Sequence, residues 1–230
     1  MNNARTPQSF FPLLRHCFLL LALSPALIMT GCVHYPEPRH TYEYVTSYDR
    51  MSTALEPGLS LIYVPENVSL SGYQRFIVGN VAVGKTWVQD PARAQRYATY
   101  LRMLLARELR TSDRFDLVVL DPQRIDSGSA MRMEAKVTVF DTGSGTARFF
   151  SYFLFFLQGS GASDLQVEGR VYDTVSGSLL MEFVDRRRHL GNTPWLPNPG
   201  TFSDEFVMKQ TVLETARNLA TTISSIDSNL

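Results

Sequence analysis

Cysteine is almost missing from this 230-residue chain: Cys17 and Cys32 are the pair, and both stand within the first 32 residues. No intrachain disulfide can staple anything downstream. Histidine is scarce too, at His16, His34, His40 and His189, so the supply of zinc ligands falls short of the three or four that a site needs. Lysine occurs at Lys85, Lys136 and Lys209 alone, and the remaining cations are arginine. Formal charge is zero, which leaves no basic excess to grip a phosphate backbone, so no nucleic acid is expected as a partner. Nothing repeats at a fixed period. A Gly-x-Ser-x-Gly elbow is absent, and Gly143-Ser-Gly-Thr146 lacks the Gly-Lys-Ser/Thr that completes a phosphate loop. No enzyme chemistry and no cofactor or metal is therefore expected. The alternative, a periplasmic hydrolase or ligand-binding protein, rests on His189 in Asp185-Arg-Arg-Arg-His189; otherwise that cluster reads as a solvated strand end.

What is present begins with an address. Arg5 and Arg15 precede any acidic residue, which first occurs at Glu37. An apolar core from Cys17 to Met29 follows, then Thr30-Gly31-Cys32. That core suits a secretory signal and is too short for a spanning helix, which takes about 20 residues. The ending Leu27-Ile-Met-Thr-Gly-Cys32 resembles the lipobox of bacterial lipoproteins, with Met29 where leucine is usual. The resemblance implies cleavage after residue 31, lipidation of Cys32 and attachment to a membrane by the acyl chains. Val33 rather than aspartate after the cysteine implies the outer membrane, on its periplasmic side. Removal of residues 1–31 takes away two arginines and no acid, leaving 20 basic against 22 acidic side chains. The mature chain is no polybasic lipid binder.

Residues 32–58, broken by Pro36, Pro38 and Pro57, read as a lipidated tether. A single α+β domain is expected over 59–230. Its sheet, antiparallel or mixed, has about five or six strands, and two long helices cover one face. Strands are predicted at Leu59–Val64, Arg75–Val83, Phe115–Leu120, Met131–Val139, Leu165–Val171 and Leu179–Val184. Met131 to Val139 and Leu165 to Val171 alternate apolar and polar, as strands with one wet face do. Asp173-Thr-Val-Ser-Gly177 reads as a hairpin turn with a left-handed glycine. Asp90-Pro91 opens a helix with stripe Tyr97, Leu101, Leu104, Leu105 and Leu109. Ser203 opens another, with expected stripe Phe206, Leu213, Ala216, Ala220 and Ile223.

Tyr44–Met51, Ser60–Pro65 and Ser71–Val78 resemble the opening of an uncharacterised family of bacterial outer-membrane lipoproteins. Leu165–Arg187 is similar to that family's strand–turn–strand. The element order is also similar to the periplasmic domains of curli-secretion and exopolysaccharide-export lipoproteins, which form rings. That likeness implies a homo-oligomer, and a ring or pore-like export assembly as a second reading of function. The first is a structural or assembly component of an envelope complex, with a protein partner or a second copy.

An insert at 143–163 stands out. Of the nine residues from Phe149 to Leu157, eight are large and apolar or aromatic. Burying such side chains contributes about 1.5–3 kcal/mol each, on the order of 10–20 kcal/mol for the group, so exposure to water is not credible. The domain core, an interface and the bilayer are the three burial routes. Phe149, Phe150, Phe153, Phe155 and Phe156 are the candidate interface residues, together with Trp195 in the proline-rich loop Gly191–Gly200.

Overall fold

The computed structural model describes residues 36–45, 48–53, 58–124, 128–147, 161–189 and 203–226. Their order is β1 (Leu61–Tyr63), β2 (Arg75–Val88), α1 (Pro91–Thr111), β3 (Leu117–Val119), β4 (Met131–Asp141), β5 (Ser163–Asp173), β6 (Leu179–His189) and α2 (Asp204–Ser225). The sheet runs β1-β6-β5-β4-β2-β3, with β2 parallel to both β3 and β4 and the β4–β5–β6 meander antiparallel. This is the expected α+β fold with a mixed sheet. Both helices pack on one face and on each other.

Helix α1 forms where the pattern places it. The Asp90 Oδ1 atom accepts from the Arg93 amide at 2.9 Å, and Pro91 occupies the first turn, where no amide is needed. Tyr97, Leu101, Leu104, Leu105 and Leu109 are all buried. Arg102 and Arg110 lie beside that stripe and donate to the main-chain carbonyls of Val78, Leu120 and Val118, so the guanidiniums rivet the helix to the ends of β2 and β3. The turn after β5 is also as expected. Gly177 has φ +69°, and the Asp173 carboxylate accepts from the Ser129 hydroxyl and the Val175 and Ser176 amides. Those donors hold Asp173 well below the usual carboxylate range.

Two expectations need correcting. The buried face of α2 is Val207, Met208, Thr211, Val212, Thr215, Ala216, Leu219, Ala220, Thr222 and Ile223, while Phe206 is exposed and Leu213 only half-buried. Three threonines on the inner face rotate the stripe, because Thr211 hydrogen-bonds back to the Val207 carbonyl and to Ser163. The second correction concerns the polar side of the sheet. Gln166 and Glu168 on β5 are fully buried rather than solvated. Residues 36–45 and 48–53, within the stretch read as a tether, cover them.

This strap is fastened by side chains of the sheet. Gln166 accepts from the Arg39 amide at 2.7 Å and donates to the Arg39 carbonyl at 2.8 Å, so one side chain imitates a strand partner. Glu168 takes the Val45 amide at 3.0 Å and the Thr41 hydroxyl. The Glu43 carboxylate accepts from the Lys85 and Thr86 amides, and Lys136 donates to the Glu43 carbonyl. Tyr44 lies between the cations of Lys136 and Arg170, and burial pushes its phenol up to about 12. The strap ends by pairing with β1, Ser52 to Ile62.

Candidate functional site

Strand direction decides which loops share an end. β2 and β4 run together, so Trp87 and Val88 lie beside Val139 and Phe140. β5 starts and β6 finishes at that same end, where Asp164 pairs with Arg188 and Ser163 with His189. The strap arrives there as well. Arg186 donates through Nη1 to the Glu37 carbonyl at 2.6 Å while gripping Asp164 with Nε and Nη2 at 3.0 and 2.6 Å. Both helices begin at this end too: the Tyr97 hydroxyl donates to the Glu205 carbonyl at 3.4 Å, and the Tyr97 ring tilts against Phe140 at 5.6 Å.

Between these strand ends lies a cleft of about 220 Å³, bordered by Arg39, Trp87, Gln89, Val139, Asp141 and Asp164. The Trp87 indole is 48% exposed, and the Arg39 guanidinium stands over it at 4.5 Å from the ring centre. That cation–π contact fixes the face of the ring turned towards the strap. Asp164 is neutralised by Arg186, with Arg39 at 4.0 Å. Asp141 accepts from Gln89 at 3.2 Å and from the Gly143 amide at 2.8 Å. The rim thus sets one exposed indole among polar groups that are paired with one another.

Gly143 has φ +67°, and a Cβ there would meet the Gly161 carbonyl oxygen at 2.2 Å. The Ser144 amide donates to that same carbonyl at 3.3 Å. The two flanks of the aromatic insert are therefore pinned side by side. Phe149, Phe150, Phe153, Phe155 and Phe156 lie outside the described residues, as do Trp195 and the proposed lipidation site Cys32.

His189 is half-buried, with Nε2 at 3.6 Å from Glu214 Oε1 on α2. The nearby Ser163 hydroxyl bonds to Thr211 at 2.9 Å and to the His189 main-chain carbonyl at 3.3 Å. Asp185 is matched to Arg187 at 2.8 Å, and burial raises its carboxyl above the ordinary range. The sequence cluster Asp185–His189 is thereby divided: Asp185, Arg187 and His189 point towards α2, and Arg186 serves the opposite face. Among the described residues no group of three or more His, Cys, Asp or Glu could hold a metal ion. Sequence reasoning passed over Arg39, Trp87, Gln166 and Glu168. The β-favouring residues Thr86-Trp87-Val88 were the available sign that β2 runs on past Val83.

The family described as "Protein of unknown function (DUF3313)" matches residues 42–202, which takes in all six strands and the strap from Tyr42 onward. No curated protein sequence matches the chain. Among solved structures, the PelC dodecamer from Paraburkholderia phytofirmans is similar at 13% identity, with 68% of this chain and 96% of that one covered and a TM-score of 0.41. Protein XCC0632 from Xanthomonas campestris, of family DUF330, is similar at 10% identity over 73% of this chain and 94% of its own, also with a TM-score of 0.41. The hypothetical protein CT253 from Chlamydia trachomatis follows at 9% identity, 67% and 98% coverage and a TM-score of 0.37.

Proposed function

This chain belongs to the DUF3313 family of proteins of unknown function, and from that premise we propose that it is a lipid-anchored protein of the bacterial outer membrane. Its α+β domain serves on the periplasmic side as a structural or assembly component of an envelope complex, not as an enzyme. The observation that carries this reading is the strap. Chain arriving from Cys32 is already bound to the sheet at Glu37 and Arg39. Five residue steps separate Cys32 from Glu37, a reach of at most about 18 Å. Acyl chains on Cys32 would hold the folded body at the bilayer surface, where a neighbouring envelope protein can be met. Two or more chains make such an anchor lasting, whereas one does not. Among the described residues no helix is long and apolar enough to cross a membrane, which leaves the lipid as the anchor this proposal uses.

The test is Cys32→Ser in the producing cell, read by membrane fractionation and by the intact mass of the mature chain. We expect an acylated mass and membrane recovery for the parent, and loss of both in the variant. Unchanged membrane recovery, with no acyl mass on the parent, would overturn the anchor. Crosslinking from position 195 in intact cells then reads the assembly role, which is abandoned if nothing is trapped there.

A further inference from the structure

We infer that the end of the domain carrying Trp87 is the face laid against the phospholipid leaflet, with the indole at headgroup depth. This rests on the lipid anchor proposed above and adds an orientation to it. Three independent features converge on that end. The strap reaches it first, within about 18 Å of Cys32, whereas α1 alone extends about 32 Å away from it. The hairpin turn at Thr174–Ser178 sits at the opposite end, because β5 runs from Ser163 at the near end to Asp173 at the far one. A body held by so short a leash turns its near end to the membrane.

Side-chain chemistry agrees. Tryptophan is the residue that settles at membrane–water interfaces, apolar ring inward and N–H outward. Trp87 is half exposed on this rim, and Phe206, 37% exposed, stands in the first turn of α2 at the same end. The Arg39 guanidinium stands over the indole face, which sets a cation beside the ring at the level of the lipid phosphates. The Asp164 carboxylate, which would be poorly placed near lipid, is neutralised by Arg186.

Connectivity supplies the third feature. The stretch 148–160 is joined through flanks that meet at this end, Ser144 to Gly161. The stretch 190–202 is joined through His189 and Ser203, whose neighbours Ser163 and Glu205 have been placed there. The two parts of the sequence richest in unassigned aromatic and proline residues are thus tied to the end that the anchor reaches. A second copy of the chain would account for an exposed indole, but not for its lying at the arrival point of the strap.

Depth-resolved fluorescence on the full acylated chain tests this orientation. In a Trp195→Phe background Trp87 is the sole tryptophan. The protein is reconstituted into phosphatidylethanolamine–phosphatidylglycerol vesicles whose acyl chains are brominated close to the glycerol. We expect Trp87 emission to fall roughly twofold relative to unbrominated vesicles, as for an indole at the interface. A far-end reporter, Trp87→Phe with Val175→Trp at the 74% exposed turn position, should lose nothing. Equal quenching at both ends overturns the inference, as does an unquenched Trp87. A blue-shifted but unquenched Trp87 overturns it in favour of a protein partner. The intact mass separates the two failures: acylated protein with unquenched Trp87 refutes the orientation alone, and unacylated protein refutes the anchor and the orientation together.

Discussion

Replacing Glu168 by methionine would loosen the strap and leave the sheet in place. The side chain keeps its length and apolar stem but loses both acceptor oxygens. Glu168 is fully buried and receives the Val45 amide at 3.0 Å, the Thr41 hydroxyl and the Gln166 amide at 3.2 Å. Gln166 retains Arg39 as a partner, and the Thr41 hydroxyl can rotate. The Val45 amide, on a residue with no exposure, has no such freedom. One orphaned buried donor costs about 1–3 kcal/mol, and loss of a charged acceptor adds to that. Removing a buried carboxylate returns part of its desolvation cost, so a net loss of about 2 kcal/mol is expected. For a domain of this size that is roughly 4–8 °C in Tm. Strap opening rises about 30-fold, since each 1.4 kcal/mol is a factor of ten. The assay pairs thermal unfolding with limited trypsin digestion, read at Arg39 and Arg50. Glu134→Ala is the control: it removes only a 3.4 Å contact with the Tyr44 hydroxyl and an exposed pairing with Arg132, and should change Tm little. If Glu168→Met cuts no faster than the parent at Arg39 and Arg50, the carboxylate does not fasten the strap. If Cys32 carries lipid as proposed, full opening of the strap as far as Ser52 would lengthen the reach from about 18 Å to about 70 Å and release the orientation inferred for Trp87.

Other outcomes follow from the same geometry. Gly169→Ala places a methyl 2.1 Å from Cζ of the buried Phe183 ring, so it should destabilise by about 1–3 kcal/mol in urea unfolding. Phe183→Leu in that background should recover part of the loss, and failure to do so locates the strain elsewhere. Gly143→Val combines positive φ with a 2.2 Å clash against Gly161. It should unpin the insert's flanks and raise protease cutting within 144–162, while the urea midpoint moves less than in Gly169→Ala. Asp185 supplies the pH dependence. Burial raises its carboxyl above the ordinary 3.8, so the folded state binds the proton more readily than the unfolded one. Acidification from neutrality towards 3.8 therefore gains stability through this group, and the gain is complete below that value. The stability of the parent relative to Asp185→Asn should rise as pH falls through this window; a fall would mean that Arg187, not burial, dominates.

Much of the scaffold was legible because its periods are long and clean. All five predicted stripe positions of α1 are buried behind an unambiguous cap, and apolar and polar residues alternate over Met131–Val139 and Leu165–Val171. The strap was not legible, and the reason is physical. An extended segment presents amides and carbonyls to whatever it covers, so the strand beneath offers polar partners such as Gln166 and Glu168. Water asks for the same residues, so alternation cannot tell a solvated sheet face from one roofed by backbone. α2 misled in a related way, since Thr211, whose hydroxyl bonds to the Val207 carbonyl and to Ser163, buries as readily as a valine yet does not count as apolar. The candidate end divides along the same line. Two hairpin reversals from β4 to β6 put the end of β4, the start of β5 and the end of β6 together for any meander, which sequence order alone implies. Adding Trp87 requires that β2 run parallel to β4, and adding Arg39 requires the direction of the strap. Both depend on pairings across more than 40 residues, such as Trp87 with Val139 and Arg39 with Gln166. No local pattern encodes those pairings, so the meeting of Trp87, Arg39 and Asp164 at one end emerges only once the strand directions are known.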